Sequence, residues 1–174
     1  AFLIIGVVVF IAVLMGCQAQ TGIGNSYEML EDKAPANPKV LSYKEPTPKN
    51  LPLSRYGNRA TYVVDGKSYD VLLTSKGYKE SGIASWYGTK FHKKYTSSGD
   101  KYDMYQLTAA HKTLPLPTYV RVKNIENGES VVVKVNDRGP FHDNRVLDLS
   151  YAAARKLGVF QNGTAKVEIE AVSM

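Results

Sequence analysis

Tyr119-Val-Arg-Val-Lys123, Asn127-Gly128 and Ser130-Val-Val-Val-Lys-Val135 form the stretch that decides the fold. Apolar and polar residues alternate in the first run, the period of a half-buried strand, and the return run is rich in β-branched valine. Asn-Gly between them is a strong hairpin signal, because these residues tolerate positive φ. Upstream, Thr61-Tyr-Val-Val64 and Lys67-Ser-Tyr-Asp-Val-Leu72 flank Asp65-Gly66, which predicts a second hairpin with a type I′ turn. Further short β-rich pieces are Gly82–Tyr87, Leu107–Ala110 and Lys166–Val172. One segment reads as a helix: Ser150 caps Tyr151-Ala-Ala-Ala-Arg-Lys-Leu157, and Gly158 stops it. Many short strands with one or two short helices predict a mainly β chain folded as a small closed barrel.

The 174 residues leave room for one compact domain with attachments. Residues 1–16 carry no charge and end at small residues, so they read as a secretory leader entered partway, without an initiator Met or a basic start. The single cysteine closes Leu14-Met15-Gly16-Cys17, which resembles the lipobox of bacterial lipoproteins. That resemblance implies cleavage before Cys17 and acylation of its thiol, and several acyl chains together give stable membrane attachment. The other reading of Cys17 is a buried free thiol in an apolar helix. Gln18, rather than the Asp of inner-membrane retention signals, points to the periplasmic face of the outer membrane. Residues 17–52 hold five of the eight prolines (Pro35, Pro38, Pro46, Pro48, Pro52) and few large aliphatics, the composition of a flexible tether. Residues 53–80 form a hairpin extension, and residues 81–174 the barrel domain.

Residues 18–52 carry four basic and four acidic side chains, so the net +6 belongs to residues 53–174, with 18 basic and 12 acidic. A basic domain suits an anionic polymer. The lipobox excludes nucleic acid as that polymer and leaves peptidoglycan and its attached acidic chains. Three scattered histidines without ligand spacing predict no metal site, and nothing in the sequence calls for a cofactor. A domain without cysteine also excludes the disulfide-rich inhibitor and defence barrels.

From Gly82-Ile-Ala-Ser-Trp-Tyr-Gly88 onward the sequence resembles the rare lipoprotein A family of septal lytic transglycosylases. The likeness continues through Thr96-Ser-Ser-Gly-Asp100-Lys-Tyr-Asp103-Met and Leu107-Thr-Ala-Ala-His111-Lys-Thr-Leu-Pro115. It then runs through Asn136-Asp137-Arg138-Gly-Pro-Phe141 and Arg145-Val-Leu-Asp148-Leu-Ser150. The resemblance implies a six-stranded double-psi β-barrel, cleavage of the MurNAc–GlcNAc linkage in glycan strands stripped of stem peptides, and action with amidase or divisome partners at daughter-cell separation. Many members carry a C-terminal peptidoglycan-binding module. The sequence ends at Met174, directly after the barrel, so that module and the septal targeting it would give are not expected within it.

A lytic transglycosylase needs a carboxyl group that serves first as acid and then as base. In the resemblance, Asp137 and Asp148 match acidic positions also found in the expansin groove, Asp100 and His111 match residues essential in the nearer family, and Asp103 matches a further acidic position. Asp100 stands where many members have Glu, one methylene nearer the backbone. Trp86 and Tyr87 are candidates for stacking on sugar rings, with Thr96, Arg138 and Arg145 beside them. Each residue also has a plainer reading. Asp148 can cap the helix it precedes. Asp137 and Arg138 can form an ion pair in a turn, and His111 can be a satisfied core histidine. Two functions stay open: a transglycosylase, and a peptidoglycan-binding lipoprotein that uses the same groove without cutting.

Overall fold

The computed structural model describes residues 32–36 and 43–172. The leader and Cys17 lie outside them. Among the described residues the chain forms β1 (Thr61–Val64), β2 (Lys67–Asp70), β3 (Lys79–Tyr87), β4 (Thr108–His111), β5 (Thr118–Asn124), β6 (Ser130–Asp137), β7 (Arg145–Ser150), α1 (Tyr151–Lys156) and β8 (Ala165–Ala171).

Strands β3 to β8 close a barrel in the order β3-β7-β4-β6-β5-β8. The pairs β3/β7 and β4/β6 run parallel, and the other four run antiparallel. Parallel neighbours cannot be joined by a tight turn, so the chain must cross over to make each pair. Two such crossings in one closed barrel give the expected double-psi architecture.

The stretch that decides the fold pairs as its alternation requires, with Val120 opposite Val133 and Val122 opposite Val131. All four valines are buried, while Arg121 and Lys123 between them are exposed. Leu147, Leu149, Val167 and Ile169 complete the barrel interior. Each such side chain contributes about 1.5–3 kcal/mol on burial. The connection is a four-residue loop, because Asn124 pairs with Glu129 through its N–H. Gly128 takes the positive φ (+77°), and the Asn127 amide reaches out to the Leu157 carbonyl. In the first hairpin both Asp65 (φ +49°) and Gly66 (φ +77°) are left-handed, as a type I′ turn requires.

Strand β7 has no loop before the helix. It runs straight into α1, whose N-cap is Ser150, with its Oγ accepting from Ala153 N–H. Asp148 therefore lies within a strand and does not cap the helix. Parts of the 17–52 stretch lie on the barrel. The Asp32 carboxylate accepts from Gly88 and Lys90 N–H at 2.7 and 3.0 Å, and the Lys33 carbonyl accepts from Thr89 N–H. Glu45 pairs with Lys156 and accepts from Val132 N–H.

Candidate active site

Register places Asp148 between Ser85 on the parallel neighbour β3 and Ala110 on the antiparallel neighbour β4. Its strand neighbours Leu147 and Leu149 point into the core, so the two-residue period turns Asp148 outward. The small side chains beside it leave a groove of about 380 Å³, lined by Trp86, Tyr87, Phe91, Ala110, Asp137, Phe141, Arg145 and Asp148 among others. A β-bulge in β6, where Ala109 faces Val135 and Ala110 faces Asp137, helps aim the second carboxylate into it.

The two carboxylates are held differently. Asp148 Oδ1 accepts from Ser85 Oγ–H at 2.5 Å and lies 3.5 Å from the Arg145 guanidinium, which also donates to Ser85 Oγ. Burial pushes the Asp148 carboxyl above the usual aspartate range, and the Ser85 hydrogen bond and Arg145 only partly offset it. Asp137 Oδ1 accepts from Ser97 N–H, Ser97 Oγ–H and Arg138 N–H, all within 2.8 Å. One groove thus holds two carboxyl groups in different settings: Asp148, raised by burial, and Asp137, fixed by three donors.

The ion pair that the sequence leaves open to Asp137 and Arg138 does not form. The Arg138 guanidinium instead donates to the carbonyls of Leu114 (2.6 Å), His111 (3.2 Å) and Gly57 (2.7 Å). It lines the groove while tying three segments together. The aromatic walls are braced from behind. Trp86 packs on Phe160 and Tyr151, and Tyr87 stacks on Tyr102 at 4.2 Å between centroids.

Four further sequence candidates lie off the groove. His111 pairs opposite Leu147, on the face of β4 away from Asp148, and is 2% exposed. Its Nδ1 accepts from Thr113 and Leu114 N–H, which puts the ring proton on Nε2, facing Tyr78 Oη at 3.0 Å and Glu80 at 3.2 Å. With both ring nitrogens engaged it is a fully bonded core histidine, and burial lowers its pKa. Asp100 accepts from Asn136 Nδ2 and Lys134 Nζ, and these bonds hold its pKa below the usual range, so it is not poised as an acid. Asp103 accepts from Tyr105 N–H. Thr96 is buried and bonds the Asp100 carbonyl, closing the 96–100 turn. Sequence reasoning missed Ser85, Ser97, Phe91 and Phe141. Ser85 lies buried within β3 beside the buried Ala84, and nothing in a lone serine announces a carboxylate across the sheet.

Residues 79–169, from the start of β3 to within β8, match the family described as lytic transglycolase. The endolytic peptidoglycan transglycosylase RlpA of Vibrio cholerae is 52% identical over 165 residues, covering 94% of this chain and 61% of that protein. The proteins of the same name from Pseudomonas aeruginosa and Neisseria meningitidis are 58% and 55% identical over 64% of this chain, which spans 33% and 47% of them. Among solved structures, the Streptomyces papain inhibitor aligns with a TM-score of 0.46 at 27% identity, over 55% of this chain and 96% of that one. On the match from β3 through β8, which contains both groove carboxylates, the chain belongs to the lytic transglycolase family as a rare lipoprotein A-like protein.

Proposed function

We propose that this chain is an endolytic lytic transglycosylase that cuts the MurNAc–GlcNAc linkage of peptidoglycan and leaves 1,6-anhydro-muramyl ends. The observation that carries the reading is Asp148: a carboxyl group raised by burial, in an aromatic-walled groove that also holds Asp137. The names of its relatives, endolytic peptidoglycan transglycosylases, support the same substrate.

The reaction needs one acid. Neutral Asp148 gives its proton to the glycosidic oxygen as the C1–O bond breaks and its electron pair stays with the leaving sugar. Positive charge develops at C1 and the ring oxygen, and the carboxylate of Asp137 stabilises it. Asp148, now ionised, takes the proton of the muramyl 6-hydroxyl while that oxygen bonds to C1. The anhydro ring closes, the proton is back on Asp148, and no water is consumed. Ser85 and Arg145 steady the ionised form between the two transfers. Asp100 lies on Lys134 and Asn136 rather than in the groove, so its shorter side chain does not stand at the proton-transfer position. The test is release of soluble glycan from purified sacculi: Asp148→Asn is expected to abolish release, and retained release would exclude Asp148 as the acid.

The same proposal extends to the cell envelope. Acylation at Cys17 would hold the barrel at the periplasmic face of the outer membrane, where it would trim glycan, stripped by an amidase, during wall remodelling or daughter-cell separation. Incorporation of labelled palmitate, lost in Cys17→Ser, tests the anchor.

A further inference from the structure

Strands β1 and β2 precede the span that matches the family, and a two-stranded hairpin of this length is not stable alone. Its anchors converge on the loop that floors the groove and on the turn beside it. Tyr62 stacks on Tyr69 at 5.3 Å, and Phe141 meets both rings edge-on at 6.3 and 5.6 Å. Lys67 pairs with Asp143, and Tyr62 Oη–H donates to the Lys112 carbonyl. Docked there, the hairpin walls a second cleft of about 350 Å³ between Tyr62 and Val64 on one side and Ser97, Arg138 and Phe141 on the other.

This cleft continues the first. Arg138 and Phe141 line both, and Ser97, at its inner end, is the residue that holds Asp137. Its walls are aromatic and aliphatic, suited to the C–H face of a pyranose. Arg59 on its rim is exposed and has no acidic partner among the described residues. Arg138, by contrast, is spent on backbone carbonyls. An unpaired guanidinium beside an apolar sugar platform matches a sugar that carries a carboxylate, which it can bind bidentately.

We infer that the hairpin builds a second sugar subsite for the muramyl residue next along the strand from the scissile bond, with Arg59 on its lactyl carboxylate. The inference rests on the peptidoglycan reading above and adds to it where the strand runs and which residue recognises its charge.

The experiment measures binding of GlcNAc-MurNAc disaccharide, its tetrasaccharide with free lactyl carboxylates, and the neutral GlcNAc tetramer to the full chain carrying Asp148→Asn. The tetrasaccharide is expected to bind about tenfold more tightly than the disaccharide, the gain from one charge-assisted contact and its platform. Arg59→Glu, at an exposed position where folding is not at stake, is expected to remove most of that gain and leave the neutral tetramer unaffected. Val64→Trp, which fills the cleft, is expected to weaken both tetramers. Equal affinity for disaccharide and tetrasaccharide, or no effect of either variant, would overturn the subsite. Equal weakening of both tetramers by Arg59→Glu would overturn the carboxylate assignment. Binding of none of the three sugars would instead sink the peptidoglycan reading itself.

Discussion

Arg138→Met tests whether one side chain holds the groove together. Met keeps the length and apolar stem of Arg138 but removes every donor, so the carbonyls of Gly57, His111 and Leu114 lose their partners at once. A hydrogen bond from a charged donor contributes about 1.5–3 kcal/mol, and an orphaned buried acceptor costs about 1–3 kcal/mol. The three carbonyls share one guanidinium and water reaches the groove side, so the terms do not add fully. The expected loss is about 3–5 kcal/mol, or about 10–15 °C in thermal midpoint for a domain of this size. Urea unfolding followed by Trp86, the single tryptophan, reads it directly. Arg138→Lys should recover only part of the loss, since one ammonium cannot reproduce a guanidinium that reaches carbonyls on two separate segments. A Met variant within about 0.5 kcal/mol of wild type would refute the clamp, because a change of that size is ordinary for a surface position without such a role.

Other consequences follow from the same geometry. Asp148 has a folded-state pKa above its unfolded value, so its contribution to stability is fully present below the unfolded pKa and lost as pH rises through the folded one. Asp148→Asn should therefore unfold at a higher temperature than wild type at pH 7 while losing activity, and a lower midpoint would contradict the burial argument. His111 runs the other way. Its depressed pKa gives stability that is present above about pH 6.5 and lost as pH falls through the folded value, so His111→Asn should flatten the acid limb of urea-derived stability. Identical slopes for variant and wild type would remove His111 from that account. Gly82→Ala would put a Cβ 2.4 Å from Val146 Cγ1, and the branched valine cannot swing away cheaply. Calorimetry should show a loss of about 1–3 kcal/mol; an unchanged midpoint would mean β3 and β7 can separate without cost.

The hairpins and the closed barrel were legible because two-residue alternation and Asp-Gly or Asn-Gly turns are local signals. Strand β7 was not, since Arg145–Ser150 passes directly into a helix and only its pairing with β3 and β4 marks it as a strand. The same gap separates the site candidates. Ala110 and His111 are adjacent in sequence, yet the first borders Asp148 and the second turns toward Tyr78 and Glu80. Asp100, Asp103 and Thr96 lie together in the Thr96–Met104 block, where they spend their polar groups on the turn that carries them or on β6. Ser85 and Ser97 become visible only when register sets one beside Asp148 and folding sets the other on Asp137. Clustering in sequence reports proximity of backbone; the side of the strand decides which groups meet.

The proposed role of Asp148 is to drive water-free cleavage of glycan. Mass spectrometry of the products released from amidase-treated sacculi by the full chain tests it most directly. Glycan fragments free of stem peptide and ending in 1,6-anhydro-MurNAc are expected from the wild type and absent with Asp148→Asn. Fragments with ordinary reducing ends, or anhydro products that persist in Asp148→Asn, would contradict it.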